Sequence, residues 1–157
     1  MRKVFVFLGV MLLIACRSEH VAVNNLRCEW LINPRGLDSP SPHLSWEIAG
    51  SARGIKQTAY HILASSSLEK LHAGEGDLWD SQTVNSDCSI FVPYAGKPLE
   101  SRTVCYWKVG ITTNQGVSVW SEPAVWTMGL LKAADWQAQW TGLDRTFAGD
   151  VPEGKTR

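Results

Sequence analysis

Paired carboxylates are the first residues in this sequence whose types and spacing suggest chemistry. Asp77 and Asp80 bracket Leu78-Trp79, and Glu29 and Glu47 stand either side of a Pro- and Gly-rich stretch. Two carboxyl groups a few ångströms apart can act as general acid and base, or as acid and nucleophile, when their surroundings pull their pKa values apart. The opposing reading is structural. Leu78 and Trp79 then cover a sheet face, while the aspartates bond to nearby backbone N–H groups. That reading is the one favoured here. Other chemistries find no residues. No Gly-x-Ser-x-Gly elbow supports Ser/His/Asp catalysis, and no glycine loop is spaced to cradle phosphate. His20, His43, His61 and His72 are scattered, and Cys28, Cys88 and Cys105 match no zinc spacing. No metal, cofactor or catalytic residue is expected.

Length and charge narrow the classes further. The chain has 157 residues with 15 Lys+Arg against 15 Asp+Glu. Domains typically hold about 100–150 residues, so there is room for one domain and little for an enzyme that needs a large scaffold. The balanced charge offers no basic face for a nucleic acid. Hydrophobic residues make up 45% and charged residues 19%, which is not the composition of a disordered chain. Eight Trp imply a large aromatic core, an adhesive face, or both.

Met1-Arg2-Lys3 is a basic start, and Val4 to Ile14 is an apolar run with one Gly. The run is too short to span a bilayer, which takes about 20 residues, and fits the apolar region of a secretory signal. It ends in Leu13-Ile14-Ala15-Cys16, which resembles the lipobox of bacterial lipoproteins. Residues 1–15 are then a signal peptide, Cys16 the lipidated N-terminus and 16–23 a linker. Arg17 follows the Cys with no Asp to suggest retention at the inner membrane, so export and outer-membrane anchoring are expected, with membrane contact through the lipid alone. The exported compartment permits disulfides, but Cys28, Cys88 and Cys105 are an odd number. Buried strand thiols are the simpler reading.

From residue 24 the hydrophobic period is two. Leu44, Trp46 and Ile48 share one face, as do Tyr60, Ile62 and Ala64, and Cys88, Ile90 and Val92. The strongest alternation is Thr103 to Thr112, with Cys105, Trp107, Val109 and Ile111 on one side and Tyr106, Lys108 and Gly110 on the other. Leu26 to Ile32 reads as a first strand and Ala124 to Leu130 as a last. Clusters such as Pro34-Arg35-Gly36, Pro40-Ser41-Pro42 and Asn114-Gln115-Gly116 punctuate them. One helical turn is expected at Ser67 to His72, with Leu68 and Leu71 inward. About seven short strands over roughly 100 residues read as an all-β, antiparallel sandwich. Trp46, Tyr60, Ile62, Cys105, Trp107 and Val109 are its expected core, with Trp46 and Trp107 facing each other across the two sheets.

Leu44-Ser45-Trp46, Tyr60-His61-Ile62 and Val119-Trp120-Ser121-Glu122-Pro123 resemble strands of a fibronectin type III, immunoglobulin-like domain. Cys105 stands where such domains carry a corner tyrosine, so the usual corner hydrogen bond is not expected. A narrower resemblance covers residues 24–142. Leu26-Arg27-Cys28-Glu29-Trp30-Leu31, Pro42-His43-Leu44-Ser45-Trp46 and Asp77-Leu78-Trp79-Asp80-Ser81 are part of it. So are Cys105-Tyr106-Trp107-Lys108-Val109 and Asp135-Trp136-Gln137-Ala138-Gln139-Trp140. In order and spacing they resemble the N-terminal region of bacterial α-L-rhamnosidases of glycoside hydrolase family 78.

That resemblance implies a long enzyme whose catalytic carboxylates lie on a separate (α/α)₆ barrel. The present chain then holds a sandwich at residues 24–131, the opening of a next β-domain at 132–143 and a disordered tail at 144–157, and is most simply a truncated piece. Hydrolysis of a glycoside needs carboxyls about 5–5.5 Å or 6.5–9.5 Å apart; with Trp79 stacked on a sugar, Asp77 and Asp80 are the sharper candidates. Two roles are expected ahead of catalysis. One is a spacer that docks neighbouring domains of the parent glycosidase. The other is a free-standing lipoprotein that binds carbohydrate or protein, rhamnose-containing glycans among them. Trp79, Trp126, Trp136 and Trp140 are the candidate sugar or domain contacts; an exposed row favours binding and buried rings favour the spacer.

Overall fold

The computed structural model describes residues 20–138. The signal segment, Cys16, Trp140 and the tail fall outside the described residues. The described part is all-β in two antiparallel sheets. One sheet has three strands in the order β1 (Val21–Cys28), β2 (His43–Gly50), β5 (Val92–Pro93). The other holds β4 (Trp79–Asp80), β3 (Gln57–Ser65), β6 (Val104–Thr113) and β7 (Ser118–Trp120), with β8 (Ala124–Thr127) also on β6. β7 pairs with Gly110–Thr112 and β8 with Val104–Trp107. They are successive pieces of one edge, interrupted at Ser121-Glu122-Pro123, where proline cannot donate to a ladder. The expected sandwich is therefore present, with β7 and the last strand, β8, sharing one edge of β6.

Alternation builds the core. On β6, Cys105, Trp107, Val109 and Ile111 are buried, and Ile62 and Ala64 of β3 are buried opposite them. Leu44 and Trp46 of β2 close the other side, and Tyr60 and Ile48 pack against the cluster while remaining partly exposed. Trp46 and Trp107, on opposite sheets, are both buried in this one core, each with an aromatic partner of its own. Trp46 meets Tyr60 edge-on at 5.4 Å, and Trp107 meets Trp126 edge-on at 6.2 Å. Edge-to-face contact is the preferred geometry because a ring's positive edge then meets a negative face.

The helical turn α1 (Leu68–His72) begins at Ser67, whose Oγ accepts from Lys70 N at 3.3 Å. It ends at Gly74, φ 81°, where Glu75 N reaches Lys70 O and Gly74 N reaches Leu71 O. This is the Schellman pattern, which glycine permits. Leu71 is buried, but Leu68 is 40% exposed. Spacing of i and i+3 puts both on one side of the turn, but Leu68 stands at its first position and stays out of the core, so the expectation that both point inward fails.

Three strands differ from their expected bounds by more than two residues, the last of them β8, which stops at Thr127 and not Leu130. β1 starts at Val21 and stops at Cys28, not Ile32. Asn25 sits at φ 53° where the β1–β2 register shifts, and Glu29 and Trp30 follow at φ 49° and 65°. Cys28 and Leu31 exchange both backbone hydrogen bonds at 3.0 Å. Two left-handed central residues make a tight I′-type reversal, whose twist suits antiparallel strands. The expected strand from Cys88 shrinks to Val92–Pro93. Phe91 has φ 59°, its N–H goes to Ser45 Oγ at 3.0 Å, and Ser89 O is taken by Trp46 N at 2.9 Å.

Candidate functional site

Each candidate carboxylate is held by its own neighbours. Asp77 accepts from Ser66 N at 2.8 Å, Ser66 Oγ at 2.7 Å and Lys70 Nζ at 2.7 Å. Partial burial pushes its carboxyl up, but the Lys70 ammonium and the Ser66 donors outweigh this and hold it at about 2. Asp80 accepts from His61 Nε2 at 2.7 Å and Gln82 N at 2.9 Å. Burial again pushes up, and the Gln82 N–H and His61 bring it below the usual carboxylate range. Both groups are ionised at neutral pH, so neither offers the proton a general acid must give. Asp77 ties α1 to the β3–β4 region while Asp80 turns to β3, so the pair serves two separate local bonds. Glu29 Oε1 accepts from His43 N at 2.8 Å, and Glu47 Oε1 accepts from Asn25 Nδ2 at 2.5 Å.

The candidate aromatic contacts do not form a row. Trp126 is fully buried, because its position opposite Cys105 on β6 directs it into the core. It offers no surface to a ligand, contrary to its expected role as a contact. Trp79 is half-buried, edge-on to Tyr94 at 5.3 Å. Trp136 is 59% exposed beside the 3₁₀ turn Ala133–Asp135, which is held by the Asp135 carboxylate on Ser101 Oγ.

Three exposed aromatics were not among the candidates. Trp120 lies on Gly110, where any Cβ would come within 2.8 Å of the indole, with Lys108 Nζ 5.1 Å from the ring centroid. The other two form a stack at one end of the three-stranded sheet. Phe91 lies on His43 at 3.7 Å and 8°, and Trp30 lies on Phe91 at 5.8 Å and 24°. Beside Trp30 opens a groove of about 570 Å³, lined by Asn25, Arg27, Glu47, Ile48 and Ile90 among others. Arg27 Nη1 donates to Trp30 O at 3.0 Å. The signal for this site was an apolar run, Trp30-Leu31-Ile32, directly before the turn residues Asn33-Pro34. A run in that place cannot continue a strand into the core.

The expectation of buried strand thiols holds for Cys28 and Cys105 and fails for Cys88, which lies in the segment before β5. Cys28 and Cys105 are buried and Cys88 is exposed; none of the three is in a disulfide. Burial pushes both buried thiols up to about 12, with Glu29 and Cys105 adding at Cys28 and Asp77 at Cys105. Tyr94 supplies the anchor a corner tyrosine would give, its hydroxyl donating to Lys97 O at 2.9 Å or Leu78 O at 3.2 Å. Among the described residues no group of three His, Cys, Asp or Glu is placed to hold a metal ion, and no helix is long and apolar enough to cross a membrane.

Comparison with known proteins gives this arrangement its context. The family model described as "Rha78A-like, N-terminal immunoglobulin domain" matches residues 23–132. An α-L-rhamnosidase of Formosa agariphila is 46% identical over 137 residues, covering 82% of this chain and 14% of its own. One of Streptomyces avermitilis is 43% identical over 113 residues, covering 71% of this chain and 11% of its own. The crystal structure of Streptomyces avermitilis α-L-rhamnosidase complexed with L-rhamnose superposes with a TM-score of 0.73 at 40% identity, over 77% of this chain and 12% of that one. The chain thus spans a small part of the length of the relatives it matches. On the match across residues 23–132, this chain belongs to the family of Rha78A-like N-terminal immunoglobulin domains.

Proposed function

We propose that residues 24–131 are a non-catalytic module of an exported α-L-rhamnosidase. Its work is to hold the neighbouring domains of that enzyme in register, with 132–143 leading into the next β-domain. The observation that carries this reading is the 43–46% identity to α-L-rhamnosidases of which the chain matches only 11–14%. The carboxylates support it, since each is committed to a local bond and the Asp77 and Asp80 groups are held ionised. Rhamnose-bearing glycans are then substrates of the whole enzyme. Replacing the matching segment of the Streptomyces avermitilis enzyme with residues 23–132 tests the role. The chimera should keep its kcat and KM on an aryl rhamnoside, whereas deletion of the segment should lower its unfolding temperature. A deletion that changes neither stability nor activity contradicts a positioning role.

Lipid anchoring through Cys16, on the outer membrane, is part of the same proposal and rests on Leu13-Ile14-Ala15-Cys16 and the basic start. Stable attachment takes more than one acyl chain. Cys16→Ala should move the protein from the membrane to the soluble fraction or leave it unprocessed. Unchanged partition on fractionation overturns the anchor.

A further inference from the structure

We propose that the groove beside Trp30 is a binding site for a neutral glycan, with one sugar ring seated on the open face of the Trp30 indole. Trp30 ends the stack that begins at His43. Phe91 stacks against it in an offset arrangement, centroids 5.8 Å apart, and Trp30, not Phe91, lines the groove. The indole is 53% exposed and is carried at φ 65°, a backbone conformation that bulky residues rarely adopt. Residues held in such regions cluster at binding sites.

The polar groups around the ring suit hydroxyls. Asn25 Nδ2 fixes Glu47 through Oε1, and Glu47 Oε2 has no hydrogen-bond partner among the described residues. Arg27 lines the groove and is fixed through Nη1 on Trp30 O, with its other guanidinium donors unengaged among the described residues. A sugar hydroxyl donates to the carboxylate and accepts from the guanidinium. One negative and one positive group cancel, so a neutral ligand fits better than a phosphate or a uronate. Ile48 and Ile90 complete the wall and can meet the C–H face of a ring or the methyl of a 6-deoxy sugar. The volume of about 570 Å³ falls within the range of small-molecule sites, about 300–1,000 Å³. Against a docked protein domain stands Glu47, since Glu is depleted at protein interfaces, and here it keeps a carboxylate oxygen without a protein partner among the described residues.

The site stands on its own geometry; only the choice of probe rests on the function proposed above. Titration of the purified chain with methyl α-L-rhamnoside, L-rhamnose and methyl α-D-glucoside, followed by Trp fluorescence and calorimetry, tests it. Saturable binding of at least one glycoside is expected. Trp30→Ala and Glu47→Gln should each weaken it about tenfold or more, the equivalent of 1.4 kcal/mol. Trp120→Ala, on the other sheet, should leave it unchanged, and unfolding midpoints show whether each variant still folds. No saturable binding of any of the three sugars overturns the proposal, as does binding that survives both groove variants. Protection of Trp30 from N-bromosuccinimide by the rest of a chimeric rhamnosidase, but not by sugar, assigns the groove to a protein contact and also overturns it. None of these failures touches the family match on which the rhamnosidase reading rests.

Discussion

Trp46 Nε1 donates to Gln57 Oε1 at 2.9 Å, a buried hydrogen bond between the two sheets. The amide of Gln57 continues the contact, with Nε2 donating to Ser86 O at 3.0 Å and Cys88 O at 2.9 Å. One side chain thus joins β2 to β3 and anchors the segment that runs on to Ser89 and Ile90 in the groove wall. Buried polar atoms cost stability when unpaired, and here the donors and acceptor of Gln57 are all engaged.

Trp46→Phe removes the donor and leaves Gln57 Oε1 buried without it. Trp126 differs, because its Nε1 is already buried without a partner among the described residues. Trp126→Phe deletes an unsatisfied donor instead of creating an unsatisfied acceptor. Trp46→Phe should therefore cost about 1–3 kcal/mol more than Trp126→Phe in urea denaturation. Equal midpoints, or the reverse order, would show that the bond adds nothing.

Trp107→Ala should cost about 3–5 kcal/mol, the usual loss for a buried aromatic. Lys108→Ala should cost no more than about 1 kcal/mol, the value of an exposed cation–π contact such as that with Trp120. Similar denaturation midpoints for the two variants would contradict the β6 register.

The Asp77–Lys70 contact sets a pH dependence. The Asp77 carboxyl is held at about 2, below its ordinary value of 3.8. A depressed folded pKa gives stability that is present above the ordinary value and lost as pH falls through the folded one. Stability should thus decline between pH 3.8 and about 2, and Asp77→Asn should flatten that part of the profile. Thermal unfolding across this window checks it; an unchanged slope in the variant would refute the assignment.

Thiol reactivity separates the three cysteines. In residues 17–157 under native conditions, N-ethylmaleimide should label Cys88 and spare Cys28 and Cys105, which are buried and held at about 12. The thiolate is the nucleophile, so protonated buried thiols stay inert. Peptide mapping that finds rapid labelling of Cys105 would contradict the packing around β6.

The long ladders were legible because a period of two is unambiguous when one face is buried. Cys105, Trp107, Val109 and Ile111 declare β6 without help from elsewhere, and Leu44 and Trp46 do the same for β2. Short elements were less legible. β5 begins only at Val92 because the N–H of Phe91 goes to the Ser45 hydroxyl and the carbonyl of Ser89 to Trp46 N, a tertiary choice that alternation cannot reveal. Trp126 was misplaced for a related reason. Four residues of β8 carry too short a pattern to say whether Trp126 faces the core or the solvent. The groove escaped notice because its parts, Asn25, Trp30, Glu47 and Ile90, come from three segments that only the β1–β2 pairing and the Ser89 contact bring together. The left-handed reversal at Glu29–Trp30 gave no warning either, since neither residue is Gly or Asn.

The role proposed above, positioning the neighbouring domains of an enzyme, requires no hydrolysis by this chain. Its most direct test is the release of rhamnose from an aryl α-L-rhamnoside by purified residues 17–157. No turnover above buffer is expected, because the Asp77 and Asp80 carboxyls are held ionised by Lys70, Ser66, His61 and Gln82. Measurable turnover that Asp80→Asn abolishes would contradict the account and make Asp77 and Asp80 a catalytic pair.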